Sequence, residues 1–301
     1  MDCSEIKNYA FASGTGFTAY IVTNNIAKKV SKVYSNSLLN LPINTSLNEQ
    51  EIFRDATYAA YKNSGLKTKR VYLHDVKPEN VQWISRLLNK KSEIVLENNK
   101  FVKNYLNICG IIEYPQKIFA RMLKKCPKEK INKNLNVSKA YYDVAQGKRA
   151  FYSPLTRDIS INIDRLGIAS FHEMGHALNA TGGQSLKILK IIACILPLGI
   201  PLIFAIGLLT PKKNNNKNND VLGFVKNNAG KLTFATMIPT IAEEGLASIR
   251  GGKLAKNVLD SKLLKKVNIS NFKAWTTYLV GSTLSSLAVA FAVKVRDKVA
   301  K

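Results

Sequence analysis

Residues 169–180 read Ala169-Ser170-Phe171-His172-Glu173-Met174-Gly175-His176-Ala177-Leu178-Asn179-Ala180. Within them, His172 and His176 stand four positions apart with Glu173 beside the first. On a helix, positions i and i+4 share a face, so both imidazoles can reach one metal ion while Glu173 points beside them toward a bound water. Apolar residues recur at helical spacing from Leu166 to Ala180, and Thr181-Gly182-Gly183 ends the run. Phe171, Ala169, Ala177 and Leu178 make the surroundings apolar, where two imidazoles and a carboxylate without a cation are costly to bury. A catalytic metal centre of this kind takes three protein ligands and leaves a fourth position open. The remaining histidine of the chain, His74, lies far upstream in a predicted strand. The third ligand is therefore sought among acids, and Glu243 and Glu244 interrupt the otherwise apolar stretch 232–249. An acid pair inside such a helix is expensive unless it meets a cation.

Working outward, residues 141–144, a Gln146-Gly147 turn and residues 149–152 read as a hairpin. Residues 158–163 alternate with period two, the mark of a half-buried strand. Asp164 is a candidate cap for the helix that follows. Upstream, residues 48–63 read as a helix closed by Gly65, residues 71–74 as a short strand and residues 78–89 as another helix. Residues 100–135 are basic and helix-prone up to Pro127. Residues 1–47 carry no clear pattern: Gly14 and Gly16 break it, and only residues 26–33 suggest a short basic amphipathic stretch. The chain has no internal repeat, and its texture changes near residue 136. The expected organisation is a basic, mostly helical region over 1–135 and a second domain over 136–301.

Two stretches are long enough to cross a bilayer at ~1.5 Å per residue. Residues 191–209 are nineteen without a charge, preceded by Lys187 and Lys190; residues 274–293 are twenty more, followed by Lys294, Arg296 and Lys298. Spans are expected near 186–209 and 274–293, with the glutamate-bearing helix near 232–250 as a third apolar segment. Pro197 and Pro201 would kink the first span, which membrane helices tolerate. Gly281, Ser285, Ala288 and Ala292 are small residues at the spacing of close helix packing in lipid. The asparagine-rich tract 212–220 reads as a loop. The net charge of +25, from 45 basic against 20 acidic residues, suits an anionic partner such as the charged face of a bilayer. The lysine runs lack aromatic interleaving or a reading module, so no nucleic-acid partner is expected. Cys3, Cys109, Cys126 and Cys194 form no paired spacing and read as free thiols of a reducing compartment. Residues 1–17 lack the pattern of a cleaved signal. Both features favour a plasma or inner membrane location with the histidine pair on the cytoplasmic side.

His172-Glu173-Met174-Gly175-His176, followed by Glu244-Gly245-Leu246-Ala247-Ser248, resembles the gluzincin zinc metallopeptidases, whose third ligand sits on a second helix reading Glu-x-x-(Ala/Ser)-Asp. Glu244 takes the ligand position. Ser248 stands where the family has an aspartate that orients a ligand histidine. Arg149-Ala150-Phe151-Tyr152 and Ile159-Ser160-Ile161-Asn162 are similar to the edge-strand region of the HtpX/CAAX-processing membrane peptidases, with Arg149 replacing an asparagine. The short interval from Arg149 to His172 is nearer the integral-membrane minigluzincins. The resemblance covers residues 138–293 and implies an α+β fold: a mainly helical zincin-like core, a small antiparallel sheet and two or three membrane helices. It implies Zn²⁺ on His172, His176 and Glu244, Glu173 as general base, and hydrolysis of a protein or peptide substrate. Tyr152 and Arg250 are candidate donors to the oxyanion. The competing expectations are a catalytically inactive zinc-binding membrane scaffold and a basic nucleic-acid or anionic-lipid binder.

Overall fold

The computed structural model describes residues 3–43, 46–98, 139–210 and 221–300. The helix-prone reading of 100–135 and the loop reading of 212–220 lie outside these residues. The described chain is mostly helical with one small three-stranded sheet. It divides into two compact units, each assembled from separate parts of the sequence rather than parted near residue 135. One comprises Met1–Leu38, Ile188–Gly245 and Lys273–Lys301; the other comprises Leu39–Lys187 and Leu246–Phe272.

The second unit opens with α2 (Leu47–Asn63), which starts one residue before the expected helix. Its N-terminus carries a capping box: the Ser46 hydroxyl accepts from the Glu49 amide and the Glu49 carboxylate accepts from the Ser46 amide. Gly65, at φ 68, turns the chain after its last residue. Strand β1 (Tyr72–Asp75), α3 (Val81–Asn98) and α4 (Lys139–Ala145) follow, then β2 (Phe151–Ser153), β3 (Asp158–Ile161) and α5 (Ile163–Ala180).

Four local expectations are corrected here. Residues 141–144 form α4 and not a strand, because Tyr141, Val144 and Ala145 are buried at helical spacing. The hairpin pairs β2 with β3, and its turn lies at residues 154–157, with Arg157 at φ 57. The sheet is mixed rather than antiparallel: its order is β1-β3-β2, with β1 parallel to β3. The long intervening chain permits a parallel register that a tight turn cannot make. Nor is Asp164 the cap of α5. Asn162 is: its side-chain oxygen accepts from the Arg165 amide and its amide donates to Ala145 O at 2.7 Å, while Asp164 pairs with Lys77 at 2.7 Å.

Because β3 is central, all four of its residues are buried. Ile159, Ile161, Phe53, Phe171, Met174 and Leu66 meet in the principal core. Helix α5 lies close along α2, where Gly167 faces Phe53 and the Thr57 and Ser170 hydroxyls meet at 2.6 Å. The burial of β3 also encloses an acid. The Asp158 side chain is 1% exposed and accepts from His74 Nε2 at 3.0 Å and from Lys91 Nζ at 2.9 and 2.8 Å.

The first unit is helical. Helix α1 (Cys3–Ile43) runs unbroken through Gly14 and Gly16, so the absence of a readable pattern in residues 1–47 concealed 41 residues of helix. Helix α6 (Gln184–Ile195) passes through a short 3₁₀ turn, Leu196–Gly199, into α7 (Ile200–Leu209) at the two prolines. Then come α8 (Val221–Asn227), α9 (Ala229–Lys256) and α10 (Ser261–Val299). Two helical segments among the described residues, Gln184–Leu209 and Ser261–Val299, are long and apolar enough to cross a bilayer. Phe204, Leu208, Ala229, Val289, Ala292 and Val293 form the unit's core.

Burial raises the Asp158 pKa, but the hydrogen bonds from His74 and Lys91 outweigh it and hold the carboxyl below its usual range. A depressed folded-state pKa stabilises above the unfolded value of about 3.9, and that stability is lost as pH falls through the folded value. Asp158→Asn is expected to cost about 2–4 kcal/mol at neutral pH, toward the lower figure because Lys91 stays partly exposed. Denaturant unfolding of both proteins should show the difference shrink below about pH 4.

Candidate metal centre

The site begins with two glycines. A β-carbon on Gly175 would overlap the Ala247 carbonyl, and one on Gly251 would overlap the Phe171 carbonyl. These pairs step one turn forward on α5 and one turn back on α9, so the helices cross antiparallel with their backbones in contact. The fourth position of the histidine motif, just before His176, thus has no room for a side chain. Arg250 donates to Leu178 O at 3.0 Å, tying the last turn of α5 to α9. That contact commits one guanidinium donor of Arg250, an oxyanion candidate above, to the end of α5. Tyr152, the other candidate, packs against the main core from β2.

Close approach brings the polar faces of the two helices together. His172 Nε2 and His176 Nε2 are 3.2 Å apart, with their rings nearly perpendicular. The Ser248 hydroxyl donates to Asn271 O at 3.0 Å and lies 3.3 Å from His172 Nδ1. With its proton committed to Asn271, Ser248 Oγ accepts Nδ1–H and leaves the His172 Nε2 lone pair directed at the site. Asn271 Nδ2 donates back to Ser248 O at 3.1 Å. Ser248 thus contacts the His172 ring with a neutral group. Asn271 is the part of this arrangement that sequence reasoning missed: nothing in the pattern of α10 marks it, and its contact with α9 comes only from folding.

Helix α9 is unbroken through Glu244, Ala247 and Ser248, so Glu244 sits one turn before Ser248. One ligand atom from each of His172, His176 and Glu244 lies within 4.8 Å of the others, and all three residues are buried. Glu243 points elsewhere: its carboxylate, 3% exposed, pairs with Lys190 at 3.0 Å. A charge partner for one acid and the imidazole pair for the other explain how two carboxylates fit in an apolar helix. Glu173, between the histidines, is partly exposed. His74 belongs to the Asp158 cluster in the sheet.

Ligand atoms bound at about 2.1 Å in a tetrahedron sit about 3.4 Å apart, close to the observed Nε2 separation, and two imidazoles with one carboxylate suit a borderline divalent cation. Comparisons with protein-family models, curated proteins and solved structures found no match. The donor set therefore rests on its own geometry.

Gly175→Ala must part the two backbones and is expected to destabilise the fold by about 1–3 kcal/mol or more. Gly183→Ala, in open space, is the matched control. Thermal unfolding of both in detergent, against wild type, should lower the midpoint only in the first.

Proposed function

We propose that this chain is a membrane-anchored zinc endopeptidase of gluzincin type, with a zincin-like core built on α5, α9 and the small sheet. The observation that carries the proposal is the buried group of His172, His176 and Glu244 with a partly exposed Glu173 beside it. Two neutral imidazoles and one carboxylate make a three-ligand set that leaves a fourth position for water, the arrangement of hydrolytic rather than structural zinc. When bound, the ion lowers the pKa of a coordinated water to around 7 and polarises the scissile carbonyl.

The chain's own residues have separate parts. His172 is held as the Nδ1–H tautomer by Ser248, so its Nε2 is available as a ligand. Glu173 accepts a proton from the attacking water as the new C–O bond forms at the carbonyl, then delivers it to the amine as the peptide C–N bond breaks. The edge strand β2 offers backbone groups along which an extended protein or peptide substrate pairs. Anchorage in the bilayer is supported by the two long apolar helices. A plasma or inner membrane with the site toward the cytoplasm accords with the unpaired cysteine spacing.

Glu173→Gln is expected to keep zinc and lose hydrolysis of a casein or peptide-library substrate; full turnover in this variant refutes the assigned base. Glu244→Ala should lower zinc content in metal analysis of purified protein, whereas Glu243→Ala should leave it near wild type. Equal occupancy in the two would remove Glu244 from the ligand set. Zinc-loaded wild type that cleaves nothing would favour the inactive scaffold instead.

A further inference from the structure

The first unit contains more than its two obviously apolar helices. Helix α1 carries twenty uncharged residues at 8–27, between Lys7 and Lys28. The Ser13 hydroxyl of α1 donates to Leu208 O at 3.1 Å, and Tyr20 stacks on Phe204 at 4.3 Å. Gly16 is pressed against Leu208, Ala292 and Arg296, and Arg296 lies over the Tyr9 ring at 4.8 Å. Low numbers of α1 therefore meet high numbers of α7, and the two run antiparallel.

The other helices fall into the same alternation. Thr240 donates to Ala193 O at 3.0 Å, while Ala229 packs with Leu208, so α9 runs antiparallel to α6 and α7. Trp275 donates to Ile241 O at 3.0 Å, and Gly230 faces Ser286 and Ala290, so α10 runs antiparallel to α9.

Charges gather at the two ends of this bundle. At one end, Lys226 pairs with Asp297 at 2.9 Å and Arg296 binds the Thr210 carbonyl. At the other, Lys190 pairs with Glu243 at 3.0 Å. Within α9, Ala229 and Glu243 are fourteen positions apart, about 21 Å of rise, and Lys226 lies in the preceding helix, so the two charged ends are separated on the order of a bilayer's hydrocarbon thickness. Between these ends, residues 8–27, 191–211, 232–242 and 274–293 carry no charge. Three threonine hydroxyls of α1 are satisfied within the helix: Thr15, Thr18 and Thr23 donate to the carbonyls of Phe11, Gly14 and Ala19. Such back-bonding lets hydroxyls enter hydrocarbon. Phe11, Val22 and Ile26 point outward, at 71%, 54% and 56% exposure. That apolar face is continuous with the helices that already qualify as spans, and its occupant is lipid.

We propose that the first unit is a four-span membrane bundle, in which residues 8–27 of α1 and residues 229–243 of α9 supply two crossings beyond the two apolar helices. The proposal rests on the membrane part of the reading above and extends it to a topology. With four alternating crossings, the N-terminal end of α1 and the C-terminal end of α10 lie on one face of the bilayer. The other ends of the four crossings, at Ala27, Ile191, Glu243 and Ala274, lie on the opposite face.

The test uses the full chain in sealed membrane vesicles of known orientation and a membrane-impermeant maleimide. Single-cysteine proteins keep native Cys3 alone or carry Lys67→Cys, Asn257→Cys or Lys298→Cys in a background whose native cysteines are serine. Cys3 and Lys298→Cys are expected to label from one face, and Lys67→Cys and Asn257→Cys from the other. Labelling of Cys3 from the same face as Lys67→Cys overturns the proposal, as does a split between Lys67→Cys and Asn257→Cys. An epitope placed before Met1, with its removal by protease added to either face, gives an independent reading of the α1 crossing. Carbonate washing separates the two ideas: release of the chain sinks membrane anchorage itself, whereas retention with Cys3 and Lys67→Cys on one face sinks only the four-span topology.

Discussion

The antiparallel contact of α5 with α9 is the constraint on which the rest depends. At Gly175 against Ala247 and Gly251 against Phe171, backbone meets backbone, and side chains one turn away are brought within bonding reach. Neither imidazole alone makes a metal site, and a carboxylate on an apolar helix is a liability by itself. The close crossing makes them parts of one constellation. Because the contact leaves no room for a β-carbon, its geometry admits little slack, and ligand positions on helices are held more firmly than on loops.

Around this contact the fold supplies support from several directions. Helix α2 is capped by Ser46 and Glu49, and Glu49 also takes Lys266 of α10 at 2.7 Å. The Thr57–Ser170 hydroxyl pair fixes α5 to α2. The amide at the start of α5 donates to Asp75 Oδ1 at 2.9 Å, which joins that helix to the end of β1. Residues 46–75 are thus part of the scaffold that orients the histidine helix.

Much of the candidate site was legible in the residues alone. The four-residue interval of the histidines and the two acids in an apolar helix are local patterns whose cost demands an explanation. The sequence resemblance favoured Glu244 over Glu243, and the structure gives a physical ground for that choice, since Lys190 neutralises Glu243. Other features were hidden because they depend on partners distant in sequence. Residues 141–144 looked like a strand because short apolar runs fit either period. Asp164 looked like a cap, yet Asn162 reaches both the Arg165 amide and the Ala145 carbonyl. Helix α1 looked patternless because its threonines, glycines and asparagines lower mean hydropathy, although three threonine hydroxyls bond to their own helix and Gly16 faces a neighbour.

By itself the sequence determined the character of its parts: a histidine helix, an acid-bearing helix, long uncharged stretches and an excess of positive charge. These follow from spacing and composition, which act within a few turns of chain. Only the tertiary structure decided which acid stands beside the imidazoles, that Ser248 and Asn271 together hold a histidine tautomer, that β1 completes the sheet, and that α1 packs with the apolar helices. Each of those outcomes depends on atoms brought into contact across tens or hundreds of residues, where close packing and hydrogen-bond direction select the partner and local periodicity has no reach.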